Sequence, residues 1–185
     1  MPSLYWNRFM SVTRNVAAAA FFVIAGSAPP AFAGADTGFF EQVQGRWVGP
    51  GEIVAGKYKG TRFNCDLTGT ANGGGSGVDL EGTCRVGVFT QEMKASIVKG
   101  GKSYRGTFLD GAAGKGLDIT SGRVDGNRVV FAMIREQLKG TMLAKVSNKN
   151  QMNVTISVDV SKQMVPVIGM NLKRIDNAAT ASTDN

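Results

Sequence analysis

Across residues 46–175 the sequence alternates apolar and polar residues in short runs, and glycine-rich turns interrupt it before any stretch of about ten residues keeps a helical period. A period of two puts successive side chains on opposite faces of a strand, so this pattern commits the chain to β structure. The clearest run is 152–160. Met152, Val154, Ile156, Val158 and Val160 form one face, and Asn153, Thr155, Ser157 and Asp159 form the other. Near the C-terminal end Ile168, Met170 and Leu172 repeat the arrangement, and 62–68 and 78–86 alternate likewise. Further strands are predicted at 47–54, 89–98, 104–109, 117–124, 128–136 and 141–146. Turn signals separate these runs: Asn72-Gly73-Gly74-Gly75, Gly100-Gly101, Asp110-Gly111, Asp125-Gly126-Asn127 and Asn148-Lys149-Asn150. Connectors this short join antiparallel neighbours, because parallel strands need crossovers of a dozen residues or more. The fold class expected is all-β, an antiparallel up-and-down meander of about nine or ten strands. Closing such a meander into a small barrel removes its edges; a two-sheet sandwich is the alternative.

The two cysteines, Cys65 and Cys84, fit this register. A hairpin turning about Asn72 to Gly77 sets them opposite each other on the inward face, with Phe63, Cys65 and Leu67 facing Leu80, Gly82 and Cys84. A disulfide there would staple the hairpin in an oxidising compartment. Zinc is a poor rival for the pair, since a structural site needs four ligands and the chain has no His. The dipeptide Gly-Thr recurs at Gly60, Gly82, Gly106 and Gly140. Repeat ancestry would leave such a trace, but glycine relieving crowding where strands bend, followed by a strand-favouring Thr, explains it better.

The N-terminal residues 1–33 have the three parts of a secretory signal: Arg8 and Arg14 without an acid, an apolar run from Val16 to Ala25, and the small-residue site Ala31-Phe32-Ala33. The apolar run falls well short of the roughly 20 residues that span a bilayer. Cleavage is expected before Gly34, leaving a lead-in at 34–44, one barrel domain at 45–175 and a disordered polar tail at 176–185; disorder is also expected before Phe39. The protein is therefore expected to be periplasmic or secreted. Removing the signal lowers the formal net charge of +7 by two, so the domain stays basic. Export leaves anionic surfaces as the partners of that charge and excludes nucleic acid, although modest positive charge also serves solubility.

Gly45-Arg46-Trp47 opens the first predicted strand ahead of the meander, and in this it resembles the calycin group of lipocalins, fatty-acid-binding proteins and avidins. The resemblance implies a small barrel whose narrow end is closed by Trp47, a structural residue rather than a ligand contact. Nitrobindin-like haem barrels share a Gly-x-Trp-x-Gly opening, here Gly45, Trp47 and Gly49. They hold haem iron through a His, which this chain lacks. Gly45-Arg46-Trp47-Val48 and Cys65-Asp66-Leu67 also resemble the bacterial periplasmic metalloprotease inhibitors, small calycin barrels with one disulfide that are shorter than this chain.

The sequence offers little for catalysis. Without His there is no Ser-His or Cys-His nucleophile. Residues 73–77 fail the nucleophile-elbow pattern because Val78 takes the place of its last Gly, and 111–116 lack the phosphate-loop spacing. Asp79 and Glu81 share an outward face, where solvated surface explains them better than a cation site. No cofactor and no enzymatic activity are expected. A barrel of this size encloses one small ligand, and the inward set Phe63, Leu80, Phe131, Met133, Met142, Met152, Ile156 and Met170 suits an apolar or amphipathic one, or else simply fills the core. Lys57, Tyr58, Lys59 and Arg62 form a basic, aromatic-containing loop that either meets an anionic headgroup at the mouth or, more simply, is a solvated loop. A protein-binding module such as a protease inhibitor, working through the N-terminal segment, is the alternative. A membrane-spanning barrel is not expected, because the outward positions are polar and aromatic girdles are missing.

Overall fold

Each alternating run forms a strand. In the computed structural model, which describes residues 35–109 and 116–175, helix α1 (Ala35–Val43) leads into β1 (Gly45–Ile53), β2 (Arg62–Asn72), β3 (Gly77–Val86), β4 (Phe89–Gly100) and β5 (Ser103–Leu109). The chain continues through β6 (Leu117–Asp125), β7 (Arg128–Arg135), β8 (Leu138–Ser147), β9 (Gln151–Val160) and β10 (Gln163–Ile175). Every strand pairs antiparallel with its sequence neighbour, and β1 pairs with β10, so the ten-stranded meander closes into a barrel rather than a sandwich. The signal at 1–33, the turn Asp110-Gly111, the 111–116 glycine run up to residue 115 and the tail at 176–185 lie outside the described residues.

The β2–β3 hairpin holds the expected register. Cys65 pairs with Cys84 and Leu67 with Gly82, and the two cysteines form a disulfide with Cα atoms 4.0 Å apart. Glycine recurs in these strands where backbones approach closely: a Cβ on Gly82 would collide with the Asp66 carbonyl oxygen, and one on Gly106 with that of Ser96. Crowding therefore accounts for Gly82, Gly106 and Gly140, whereas Gly60 has open space around it and takes a positive φ of 89° in the 54–61 loop.

The turns sort the molecule into two ends. The β2–β3, β4–β5, β6–β7 and β8–β9 turns gather at the end that α1 covers, and the 54–61 loop and the β3–β4, β7–β8 and β9–β10 turns stand at the other. The disorder expected before Phe39 is corrected for residues 35–38, since α1 begins at Ala35; the residues before it lie outside the described residues. Its apolar stripe is the reason. Phe39, Phe40 and Val43 are buried among the barrel's core residues, and this docking holds a nine-residue helix that alone would be marginal in water.

Trp47 and Arg174 fasten the helix to the barrel. Trp47 is fully buried and its Nε1–H donates to the Val43 carbonyl at 2.8 Å. The Arg174 guanidinium lies 4.4 Å from the Trp47 ring centroid, a cation–π contact, and donates to the carbonyls of Gln42, Gln44 and Lys149. A cation on the last carbonyls of a helix also meets the negative end of its dipole. On the outer wall Arg46 grips Asp66 through two hydrogen bonds, 2.8 and 2.6 Å long. These bonds hold the Asp66 carboxyl below the ordinary carboxylate range, against a smaller opposing effect of burial.

Candidate functional site: a divided apolar interior

Inward phase alone places the apolar side chains inside the barrel, but they do not share one space. Beside α1 lies a chamber of about 80 Å³, lined only by apolar residues and Cys84. Toward the other end lies a cavity of about 400 Å³. Cys84, Met93, Phe108 and Met170 line both, so they form the waist between the two spaces.

This division separates the predicted ligand residues. Phe63, Met133 and Ile156 line the larger cavity; Leu80, Phe131, Met142 and Met152 line the small chamber; Met170 stands at the waist. Phe131 belongs to a packed aromatic stack, its ring 5.8 Å from Tyr104, which in turn lies 5.3 Å from Phe40. At about 80 Å³ the chamber holds two or three waters' worth of space, too little for a ligand of the usual size. The larger cavity falls within the roughly 300–1,000 Å³ of small-molecule sites.

Its wall is apolar on most sides, through Ile53, Phe63, Leu117, Met133, Ile156 and Ile168. The polar groups are few: Gln91, Arg135, Lys139 and Ser157. Arg135 closes β7 in the same inward phase as Val129, Phe131 and Met133, so the strand that supplies three buried apolar residues ends with a half-buried arginine against the cavity. Sequence reasoning missed it. The signal was there, because the alternation that set Phe131 and Met133 inward also sets Arg135 inward.

The predicted basic loop stands at the strand ends where this cavity emerges, and Lys57, Tyr58 and Arg62 are exposed and line neither space. The Lys57 ammonium lies 5.4 Å from the Tyr58 ring centroid, and Arg62 Nε is 3.6 Å from Glu52 Oε2. Trp47 also lines neither space. Asp79 accepts hydrogen bonds from Asn72 at 2.9 Å and Ser96 at 2.7 Å, and among the described residues no three His, Cys, Asp or Glu cluster closely enough to hold a metal. No helix among the described residues is long and apolar enough to cross a membrane.

No family model and no curated protein matches this chain. Among solved structures the chain is similar to a protein of unknown function of the DUF3598 family from Nostoc punctiforme PCC 73102. The TM-score is 0.47 at 12% sequence identity, over 74% of this chain and 49% of that one. The chain thus spans about half the length of that structure.

Proposed function

We propose that this protein is an exported, calycin-like carrier that binds a small amphipathic ligand, with the apolar body of the ligand in the larger cavity and an anionic head toward Arg135 and Lys139. The observation that supports this reading is the cavity of about 400 Å³, apolar along most of its wall and carrying two cations among its few polar groups. Apolar lining gives affinity through desolvation, and a small number of placed polar groups gives orientation. A carboxylate, sulfonate or phosphate head would gain charge-assisted hydrogen bonds from a guanidinium. The disulfide suits an oxidising compartment, in keeping with the signal-like N-terminal segment. No reaction is assigned to the chain.

Native mass spectrometry of protein recovered from the exported fraction tests this. A reproducible added mass, lost on denaturation and identified as an anionic amphiphile, is the expected result. A bare chain that also fails to take up an anionic apolar dye such as anilinonaphthalene sulfonate would refute it. The alternative of an inhibitor acting through its N-terminal segment meets a specific difficulty: Phe39 and Phe40 are core residues, so engaging a partner with them would uncork the barrel.

A further inference from the structure

The two ends of the barrel are built from different turn chemistry. At the end covered by α1 the turns carry the polar and glycine residues that turns ordinarily take, as in Gly101-Lys102, Gly126-Asn127 and Asn148-Lys149-Asn150. At the open end the β3–β4 turn is Gly87-Val88 and runs straight into Phe89, with Val88 89% and Phe89 78% exposed. Leu138 follows the β7–β8 turn, Val160 and Met164 flank the β9–β10 turn, and Tyr58 tips the 54–61 loop, all of them exposed. Water gains nothing from a valine and a phenylalanine at a hairpin tip. Apolar side chains gathered round the mouth of an apolar cavity mark a contact surface.

Charge at the same end tells what that surface meets. Among the described residues the open-end loops and the two strand positions next to each of them hold the cations Lys57, Lys59, Arg62, Arg85, Arg135, Lys139 and Lys162, against the acids Glu52, Asp118, Glu136 and Asp159. Cations also stand at the covered end, so charge alone does not choose an end; the combination with exposed apolar tips does. The barrel wall does not share that combination, since its outward strand positions include exposed Glu81, Arg123, Lys145 and Asn153. A spanning mode would put these in hydrocarbon, whereas an end-on mode leaves them in water.

We propose that the open rim docks end-on against an anionic lipid bilayer, with Val88 and Phe89 entering the headgroup boundary and the surrounding lysines and arginines meeting lipid phosphates. Apolar residues inserted beside basic ones are the two terms that hold a peripheral protein on a membrane. The docking stands on the rim itself. Only its consequence, that an amphipathic ligand enters and leaves through the membrane-facing mouth, rests on the carrier reading above.

Flotation of the processed full chain with vesicles of phosphatidylglycerol and phosphatidylcholine, compared with phosphatidylcholine alone, tests the proposal. The expected result is binding to the anionic vesicles that weakens with salt, and a loss of more than tenfold in the double variant Val88→Asp, Phe89→Asp. Both side chains are exposed, so circular dichroism and melting should be unchanged in that variant. Failure to float, or equal binding of the variant, overturns the proposal. Equal binding to neutral vesicles overturns the anionic assignment. Sedimentation showing a dimer that the double variant abolishes, without flotation, overturns it in favour of a second copy on the rim. Dye uptake and native mass read on the same samples keep the two proposals apart, because protein that floats yet is bare and takes no dye refutes the carrier, and protein that takes dye without floating refutes the docking.

Discussion

Replacing Phe40 by Ala should unseat the helix that closes the barrel. Phe40 is wholly buried, with its ring 5.4 Å from Phe39 and 5.3 Å from Tyr104, and it lines the chamber of about 80 Å³. Truncating a core phenylalanine costs about 3–5 kcal/mol, and the cost rises with the cavity that the surroundings fail to fill. Here the vacated space opens onto an existing void, which hinders collapse and places the loss in the upper half, at about 4–5 kcal/mol. For a domain of this size that corresponds to a fall of roughly 10–15 °C in melting midpoint. Urea unfolding followed by far-UV circular dichroism, together with the fluorescence of Trp47 against the helix, measures it. The urea slope should stay constant while the midpoint falls. Val88→Ala at the opposite end, where the side chain is exposed, should stay within about 0.5 kcal/mol of the parent. A loss below about 1 kcal/mol for Phe40→Ala, with Trp47 fluorescence unchanged, would refute the claim that α1 is an integral plug.

Three further outcomes follow from particular contacts. Removing the disulfide by Cys65→Ala, Cys84→Ala should cost roughly 3 kcal/mol in the chain-entropy model, given the separation of 19 residues, and chemical unfolding under non-reducing conditions reads the difference. Ile156→Trp should fill part of the larger cavity and weaken dye binding by more than tenfold, whereas Met152→Leu beside the small chamber should leave it nearly unchanged; fluorescence titration distinguishes them. Asp66 is held below the ordinary carboxylate range in the folded protein, so the stability it supplies is present at neutral pH and is lost as pH falls below about 4 toward its folded value. Asp66→Asn should flatten that acid limb in thermal melts taken from pH 7 to pH 2.5, with only a small change at pH 7 because the pair is half-exposed.

The barrel was legible because strand alternation, turn residues and the cysteine register are local signals that agree with one another. Strand boundaries at 62, 78, 89, 104, 117, 128, 152 and 160 fall within one residue of the observed ends, and the pairing of Cys65 with Cys84 follows from the position of the β2–β3 turn alone. What the sequence could not show is where along the barrel axis an inward residue sits. Phe131 and Met133 have the same phase and neighbouring positions, yet one lines the small chamber and the other the larger cavity, because the waist is set by side chains from β3, β4, β5 and β10 together. The plug was hidden for a similar reason. Phe39, Phe40 and Val43 make a short apolar stripe of ordinary appearance, and only the barrel end beneath them makes it a helix worth forming.

The contrast between the two ends was legible only in retrospect, and it bears most on function. A turn reading asks whether Gly, Asn or Asp is present, and Gly87 satisfies that test for the β3–β4 turn with a positive φ of 57°. The same reading passes over Val88, which sits in the turn without serving it. Neither folding nor solubility requires an apolar residue there, since it packs against little of its own chain. An apolar residue that the fold does not use, beside Phe89 and next to the cavity mouth, is best explained by something outside the chain. Under the carrier proposal, the plugged end and the exposed rim would leave one direction of access: a ligand would enter the larger cavity from the side where the apolar surface is, with the helix closing the other.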